Sequence, residues 1–142
     1  MRYFFSCLLV ATVLLISCRK KAPEPVYSLQ GQWTLQRIET TEYGPDDNPI
    51  GPSATRVPSP AERYTITPTT LEILINTPTP FTFVYSYIRT GDVLSFKLIN
   101  PQGGIPDFES TIKKLTATEM VLSTRVYVGN SYLLHSNHYV RQ

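Results

Sequence analysis

The side chains that could do chemistry are few, and their spacing excludes the common catalytic arrangements. His135 and His138 are the only histidines, and they lie in a segment that alternates as a strand. Residues i and i+3 of a strand point to opposite faces, so these imidazoles cannot share a zinc ion as the same spacing allows on a helix. Neither a Gly-x-Ser-x-Gly sequence nor a phosphate-binding glycine loop occurs. We therefore predict that the protein is not an enzyme and holds no metal or cofactor.

Acidic side chains crowd the segment 41–60. Glu42, Asp46, Asp47 and Asn48 offer the oxygen ligands that calcium prefers. Their spacing departs from that of known calcium loops, which favours solvated turn residues over a metal site.

A cysteine follows the apolar stretch near the start of the chain. This stretch, Phe4–Ile16, comes after Arg2 and is shorter than the roughly 20 residues that a membrane-spanning helix needs. It leads into Leu15-Ile16-Ser17-Cys18, which resembles the lipobox of bacterial lipoproteins. In that family the chain is cleaved before the cysteine, whose thiol carries a lipid. The resemblance implies a lipoprotein signal peptide over 1–17 and lipidation at Cys18.

The residues after this cysteine predict a flexible tether to a membrane. Residues 18–27 contain the basic run Arg19-Lys20-Lys21 and two prolines, without hydrophobic periodicity. Basic residues beside a lipid suit an anionic membrane surface; a solvated linker without a specific role is the alternative. The run resembles neither the inner-membrane retention signal nor the surface-export signal of bacterial lipoproteins. We therefore expect an anchor in the outer membrane, facing the periplasm of the cell envelope.

The composition indicates one domain built from strands. The 142 residues are 42% hydrophobic and include 12 prolines, nine tyrosines and six phenylalanines. Aromatic residues favour strands, whereas so many prolines disfavour a helix bundle. The net charge of +2 is too small to indicate a nucleic-acid partner.

Period-two alternation of apolar residues predicts eight strands within residues 28–142. They cover Gln32–Thr40, Glu62–Thr67, Thr70–Asn76, Phe81–Arg89, Asp92–Ile99, Asp107–Leu115, Glu119–Val128 and Ser131–Arg141. Short turns separate most of them, and 41–60 is the one long connection. This order predicts an all-β, antiparallel up-and-down barrel, because closure removes exposed sheet edges. A β-sandwich is the main alternative.

Two predicted strands show apolar faces that bear on function. Phe81, Phe83, Tyr85 and Tyr87 share one face and could line a pocket for a flat or acyl ligand. The alternative is that these rings simply fill the barrel. In the last strand, an apolar face is formed by Tyr132, Leu134 and Val140.

Residues at both ends of the predicted domain suggest a family. Leu29-Gln30-Gly31-Gln32-Trp33 resembles the Gly-x-Trp start of lipocalins and related calycin barrels, and His138-Tyr139-Val140-Arg141 is similar to the last strand of small lipocalin-like domains. The resemblance implies that Arg141 packs across Trp33 to close one barrel end, a structural role. It also implies that 41–60 covers the barrel mouth; a surface insertion without a role in ligand entry is the alternative.

These observations predict a membrane-anchored lipoprotein whose lipocalin-like barrel, residues 28–142, binds a small apolar or amphipathic ligand without catalysis. The alternative is a cell-envelope protein-interaction or structural module with a filled barrel core. An apolar interior cavity distinguishes the two.

Overall fold

Nine β-strands form the regular structure of the protein, which a computed structural model describes over residues 26–99 and 106–142. They are β1 (Gly31–Tyr43), β2 (Ala54–Arg56), β3 (Glu62–Ile66), β4 (Thr70–Ile75), β5 (Phe81–Thr90), β6 (Val93–Leu98), β7 (Phe108–Leu115), β8 (Glu119–Val128) and β9 (Ser131–Arg141). No helix capable of crossing a bilayer occurs in these two ranges. The predicted signal peptide, Cys18 and most of the tether lie outside the described residues.

Eight of the strands close into a barrel. The sheet runs β1-β3-β4-β5-β6-β7-β8-β9, and β9 pairs back onto β1 from Trp33 opposite Arg141 to Tyr43 opposite Tyr132. Every neighbouring pair is antiparallel. The predicted eight-stranded up-and-down barrel is confirmed, and the sandwich is excluded.

The segment 41–60 is more regular than predicted. β1 continues to Tyr43, and the short β2 pairs with Ile38–Thr40 of β1. Residues 44–61 still form a long connection between β1 and β3, but it contains β2, which was not predicted, on the edge of β1. The reason is that β3 pairs only with Gly31–Thr34, which leaves the second half of that edge of β1 open. An open edge exposes unpaired backbone groups, and β2 covers it.

A bulge keeps the apolar residues of β1 inside the barrel. The register between β1 and β9 shifts between Leu35 and Arg37. Strict alternation would turn Ile38 outward after Trp33 and Leu35, but the extra residue restores its inward direction. All three side chains are buried.

The packed core lies at the end of the barrel where β1 begins and β9 ends. Trp33, Leu94 and Met120 are completely buried there. Leu29 lies below the barrel just before β1, and its carbonyl accepts a hydrogen bond of 2.9 Å from the Trp33 indole Nε1. This end of the barrel is sealed, so we call it the sealed end.

Candidate ligand-binding cavity

The barrel interior is not filled by side chains. A cavity of 530 Å³ lies inside it and reaches the end opposite the sealed end, where Pro106, Asp107 and Val126 line it. This volume is within the range of about 300–1,000 Å³ that small-molecule sites usually have. The cavity is the main candidate site among the described residues.

Apolar side chains form most of the cavity wall. They come from β1, β3, β4, β6, β7 and β8, and they include Ile38, Ile66, Leu71, Ile73, Phe96, Phe108 and Leu122. The two phenylalanine rings stack with their centres 4.7 Å apart. This wall suits the hydrophobic body of a ligand, because its burial removes apolar surface from water.

Polar side chains form a stripe within the cavity wall, flanked by apolar residues of the same and neighbouring strands. Its members are Ser110, Thr124, His135 and Asn137, contributed by β7, β8 and β9. The Ser110 and Thr124 hydroxyls are 2.6 Å apart, and the Thr40 hydroxyl lies 2.9 Å from His135 Nδ1. Asn137 Oδ1 is buried and has no hydrogen-bond partner among the described residues. An unpaired buried acceptor is costly, which makes this atom a candidate contact for a ligand.

The two histidines point to opposite sides of β9, as predicted. His135 lines the cavity, and His138 Nε2 lies 3.3 Å from Glu39 Oε2 outside it. Burial lowers the pKa of His135, and the nearby positive charge of Arg56 lowers it further. His135 is therefore held in its neutral form.

Two tyrosines, Tyr64 of β3 and Tyr139 of β9, contact each other in the cavity wall. Tyr64 donates a hydrogen bond of 2.7 Å to Glu62, and its ring meets that of Tyr139 edge to face at 4.8 Å. Burial raises the pKa of both phenols. They therefore stay protonated and act as neutral hydrogen-bond donors.

Arg56 brings a charge to the cavity. It lies directly opposite Ile38 in the β1–β2 ladder, and directly opposite residues share a face of the sheet. Because Ile38 faces inward, Arg56 does too, and it is the one residue of 41–60 that lines the cavity.

The four aromatic residues predicted to contact a ligand do not line this cavity. Tyr85 is 0% exposed and packs edge to face on Phe108, with ring centres 5.3 Å apart. Phe83 packs against the core, and Phe81 is 44% exposed at the strand end. Tyr87 donates a hydrogen bond to the Thr67 carbonyl and lines a smaller pocket of 270 Å³ near the sealed end. This face thus packs mainly against rings from neighbouring strands, and the open space lies elsewhere.

The apolar face assigned to the last strand is the outer one. Tyr132 is buried because it stacks on Tyr43, with ring centres 5.0 Å apart, outside the core cluster. The inward positions instead carry His135, Asn137 and Tyr139. Sequence reasoning therefore missed Asn137 as a cavity residue, although its place in an alternating strand was a signal. Arg56 was missed because β2 was not predicted.

The acidic residues of 41–60 bond to neighbours within the protein. Asp46 accepts a hydrogen bond of 2.6 Å from Asn48 Nδ2, and Asp47 accepts one of 2.9 Å from the Tyr132 hydroxyl. No group of three or more potential metal ligands occurs within 26–99 and 106–142. The contact to Tyr132 fixes this part of the segment on the outer face of β9. Of residues 41–60, Arg56 alone lines the cavity, so the expectation that the whole segment covers the mouth was wrong.

The contact that the resemblance implies between Trp33 of β1 and Arg141 of β9 is present. Arg141 lies over the Trp33 ring, with its guanidinium carbon 4.4 Å from the ring centre, and Arg141 Nη2 donates to the Ser28 carbonyl. Both residues belong to the sealed end rather than to the cavity.

Comparison with solved structures places this barrel among known folds. No protein-family model matches the chain, and neither does any curated protein. A lipocalin-like protein from Bacteroides uniformis has a TM-score of 0.52 at 14% identity, covering 80% of this chain and 98% of that one. An uncharacterized protein from Bacteroides eggerthii has a TM-score of 0.51 at 12% identity, covering 81% of this chain and all of that one. At this identity the likeness concerns the fold, and the fold is a lipocalin-like β-barrel.

Proposed function

We propose that the barrel binds a small apolar or amphipathic molecule without catalysing its conversion. The observation that carries the proposal is the 530 Å³ cavity, which combines a continuous apolar wall with a narrow polar stripe. Apolar walls supply affinity through burial, and a few placed polar groups orient the ligand. The lipocalin-like fold of the barrel supports the same reading.

The alternative is a cell-envelope interaction or structural module. That alternative was based on a filled barrel core. The cavity disfavours it, because an apolar interior that side chains leave unfilled lacks the packing that would stabilise a purely structural barrel. We therefore rank it second.

A neutral fluorescent dye tests the proposal. N-phenyl-1-naphthylamine should brighten on mixing with the isolated domain and be displaced by small apolar compounds. Ile73→Trp places a large side chain in the cavity and should abolish the dye signal. The matched control is Glu72→Trp, whose new ring lies on the exposed outer face of the same strand, and it should bind dye normally. Absence of dye binding by a folded wild-type domain would refute the proposal.

We further propose that the protein is a lipoprotein anchored through Cys18. The lipobox-like sequence supports this. The tether would join the barrel at its sealed end, where Val26 is 98% exposed, and would leave the cavity mouth free at the opposite end. Cys18→Ala should abolish palmitate labelling in a bacterial host, whereas Cys7→Ala should retain it. Labelling that persists in the Cys18 variant would contradict the anchor.

The outer-membrane location is a separate part of this proposal. We expect the protein to fractionate with the outer membrane and to resist protease added to intact cells, because it faces the periplasm. Removal of the barrel by protease under those conditions would place it on the cell surface instead.

A further inference from the structure

We propose that the ligand is an anionic amphiphile and that Arg56 and His135 bind its carboxylate head while its hydrophobic body lies in the cavity. This inference rests on the proposed ligand-binding function and adds the charge of the ligand to it.

The first argument is the position of Arg56. It lies opposite Ile38 and shares its inward face, and it is the one residue of β2 that belongs to the cavity wall. The residue is also exposed to solvent. A guanidinium at such a place can stay hydrated in the empty barrel and still meet a ligand at the mouth.

The second argument is that this guanidinium is not used inside the protein. Arg56 has no hydrogen-bond or ion-pair partner within 26–99 and 106–142. Four other described arginines are engaged: Arg37 pairs with Glu39, Arg89 donates to a turn carbonyl, Arg125 lies over Tyr132, and Arg141 lies over Trp33. Arg63 also lacks a partner within these ranges, but it lies on the outer face of β3, away from the cavity. Arginine is well suited to carboxylates, because its planar donors match the two oxygens.

His135 supplies a second donor close to Arg56. Thr40 bonds to its Nδ1, and when that hydroxyl donates, the imidazole carries its proton on Nε2. The neighbouring guanidinium and burial both favour the neutral ring. His135 can thus donate to an anion without adding a second buried charge to the empty site.

The acidic residues of the cavity each accept a hydrogen bond from an internal donor, whereas Arg56 donates to no described residue. Glu62 accepts from the Tyr64 hydroxyl at 2.7 Å, and Asp107 accepts from the Leu98 amide at 3.0 Å. Each carboxylate therefore has less to gain from a ligand cation than Arg56 has from an anion. This contrast favours an anionic head over a cationic one.

The apolar wall accepts the remainder of the ligand. Ile73 of β4 lies across the barrel from β8, and Phe96 and Phe108 continue the wall beside the polar stripe. A ligand whose head is held at Arg56 would extend its body along these side chains. The class expected is therefore a carboxylate with an aliphatic or aromatic body.

Three twelve-carbon probes test the inference by displacement of the neutral dye at pH 7.5: dodecanoate, 1-dodecanol and dodecylamine. They share a twelve-carbon length and differ in the head group, which is anionic, neutral or cationic. Dodecanoate should displace the dye about tenfold or more better than the alcohol, as expected for a charge-assisted hydrogen bond. Arg56→Gln should remove that preference when displacement is expressed relative to the variant's own dye affinity, and Arg56→Lys should restore part of it. The control is Arg63→Gln, which removes a charge from the outer face of β3.

The outcomes separate this inference from the proposed function. Equal displacement by all three probes, unaffected by Arg56→Gln, would overturn the anionic head group while ligand binding stands. Preference for dodecylamine would also overturn it and would point to Glu62 or Asp107. Failure of the dye itself to bind would refute the proposed function. An equal loss of preference in Arg63→Gln would show a general charge effect and contradict the role of Arg56.

Discussion

The guanidinium of Arg141 covers the indole ring of Trp33 at 4.4 Å, and the two residues are directly opposed partners in the ladder that closes the barrel. The first and last strands are thus joined at the sealed end by a side-chain contact as well as by backbone hydrogen bonds. The indole Nε1 bonds to Leu29 and the guanidinium to Ser28. The chain just before β1 is held by the same pair.

Trp33→Ala should lower the free energy of unfolding by about 3–5 kcal/mol, the range for removal of a large aromatic side chain from a core. The ring is completely buried, so its removal leaves a void and an unpaired Leu29 carbonyl. Urea denaturation followed by circular dichroism measures the loss. A variant as stable as the wild type would refute the assignment of Trp33 to the barrel core.

Arg141→Ala should cost less, about 1–2 kcal/mol, because it removes a cation–π contact and exposed hydrogen bonds but little buried surface. Trp33 is the only tryptophan, so its emission reports directly on this contact. We expect the emission spectrum to change in Arg141→Ala but not in Arg63→Ala. An unchanged spectrum would mean that the guanidinium does not cover the ring in solution.

Asn137→Leu should change the stability of the barrel by less than about 1 kcal/mol, because it removes a buried, unpaired acceptor and also the side-chain hydrogen bond between Asn137 and Tyr139. The substituted residue faces Ile38 and Leu122 across the ladders, so the new side chain has apolar neighbours. Thermal unfolding of both proteins gives the comparison. A loss well above about 1 kcal/mol would show that Asn137 Oδ1 also has a partner in solution.

Asp47 combines a positive φ of 58° with the hydrogen bond to Tyr132. Asp47→Ala loses the acceptor and strains the backbone, so we expect a loss of about 1–2 kcal/mol. Asp47→Asn keeps an acceptor and tolerates this conformation, and should stay near the wild type. Dye uptake should be unchanged in both variants, because this part of 41–60 packs on the outer face of β9. Faster uptake in Asp47→Ala would indicate that the segment controls entry to the cavity.

The stability of the domain should fall below pH 6.5 partly because of His135. Its pKa in the folded protein is lower than its ordinary value of 6.5, so the unfolded chain binds a proton that the folded chain does not. The resulting contribution is complete above pH 6.5 and is lost as the pH falls toward the lowered pKa. His135→Gln should reduce the difference in unfolding free energy between pH 7.5 and pH 5. In the control, His138→Gln, the contribution of His135 to this difference should be unchanged. Identical profiles for wild type and His135→Gln would contradict the buried position of the ring.

The strands and their order could be predicted from the sequence because they depend on local patterns. Alternation within each segment located all eight barrel strands, and the bounds Glu119–Val128 and Ser131–Arg141 agree with β8 and β9. Short turns allow little besides antiparallel hairpins. Eight such strands then suffice for closure.

The cavity and its lining depended on tertiary structure. A shift of one residue in strand register exchanges the inner and outer faces, so alternation shows two faces of β9 without telling which one is inside. The pairing of β9 with the bulged β1 turned Asn137 inward and Tyr132 outward. The same closed sheet left β1 with an edge for β2, which brought Arg56 into the wall. Tyr85 is enclosed by Phe96 and Phe108, while the cavity lies beside β9. The sequence could not show this, because the volume left inside a barrel depends on the side chains of all its strands together.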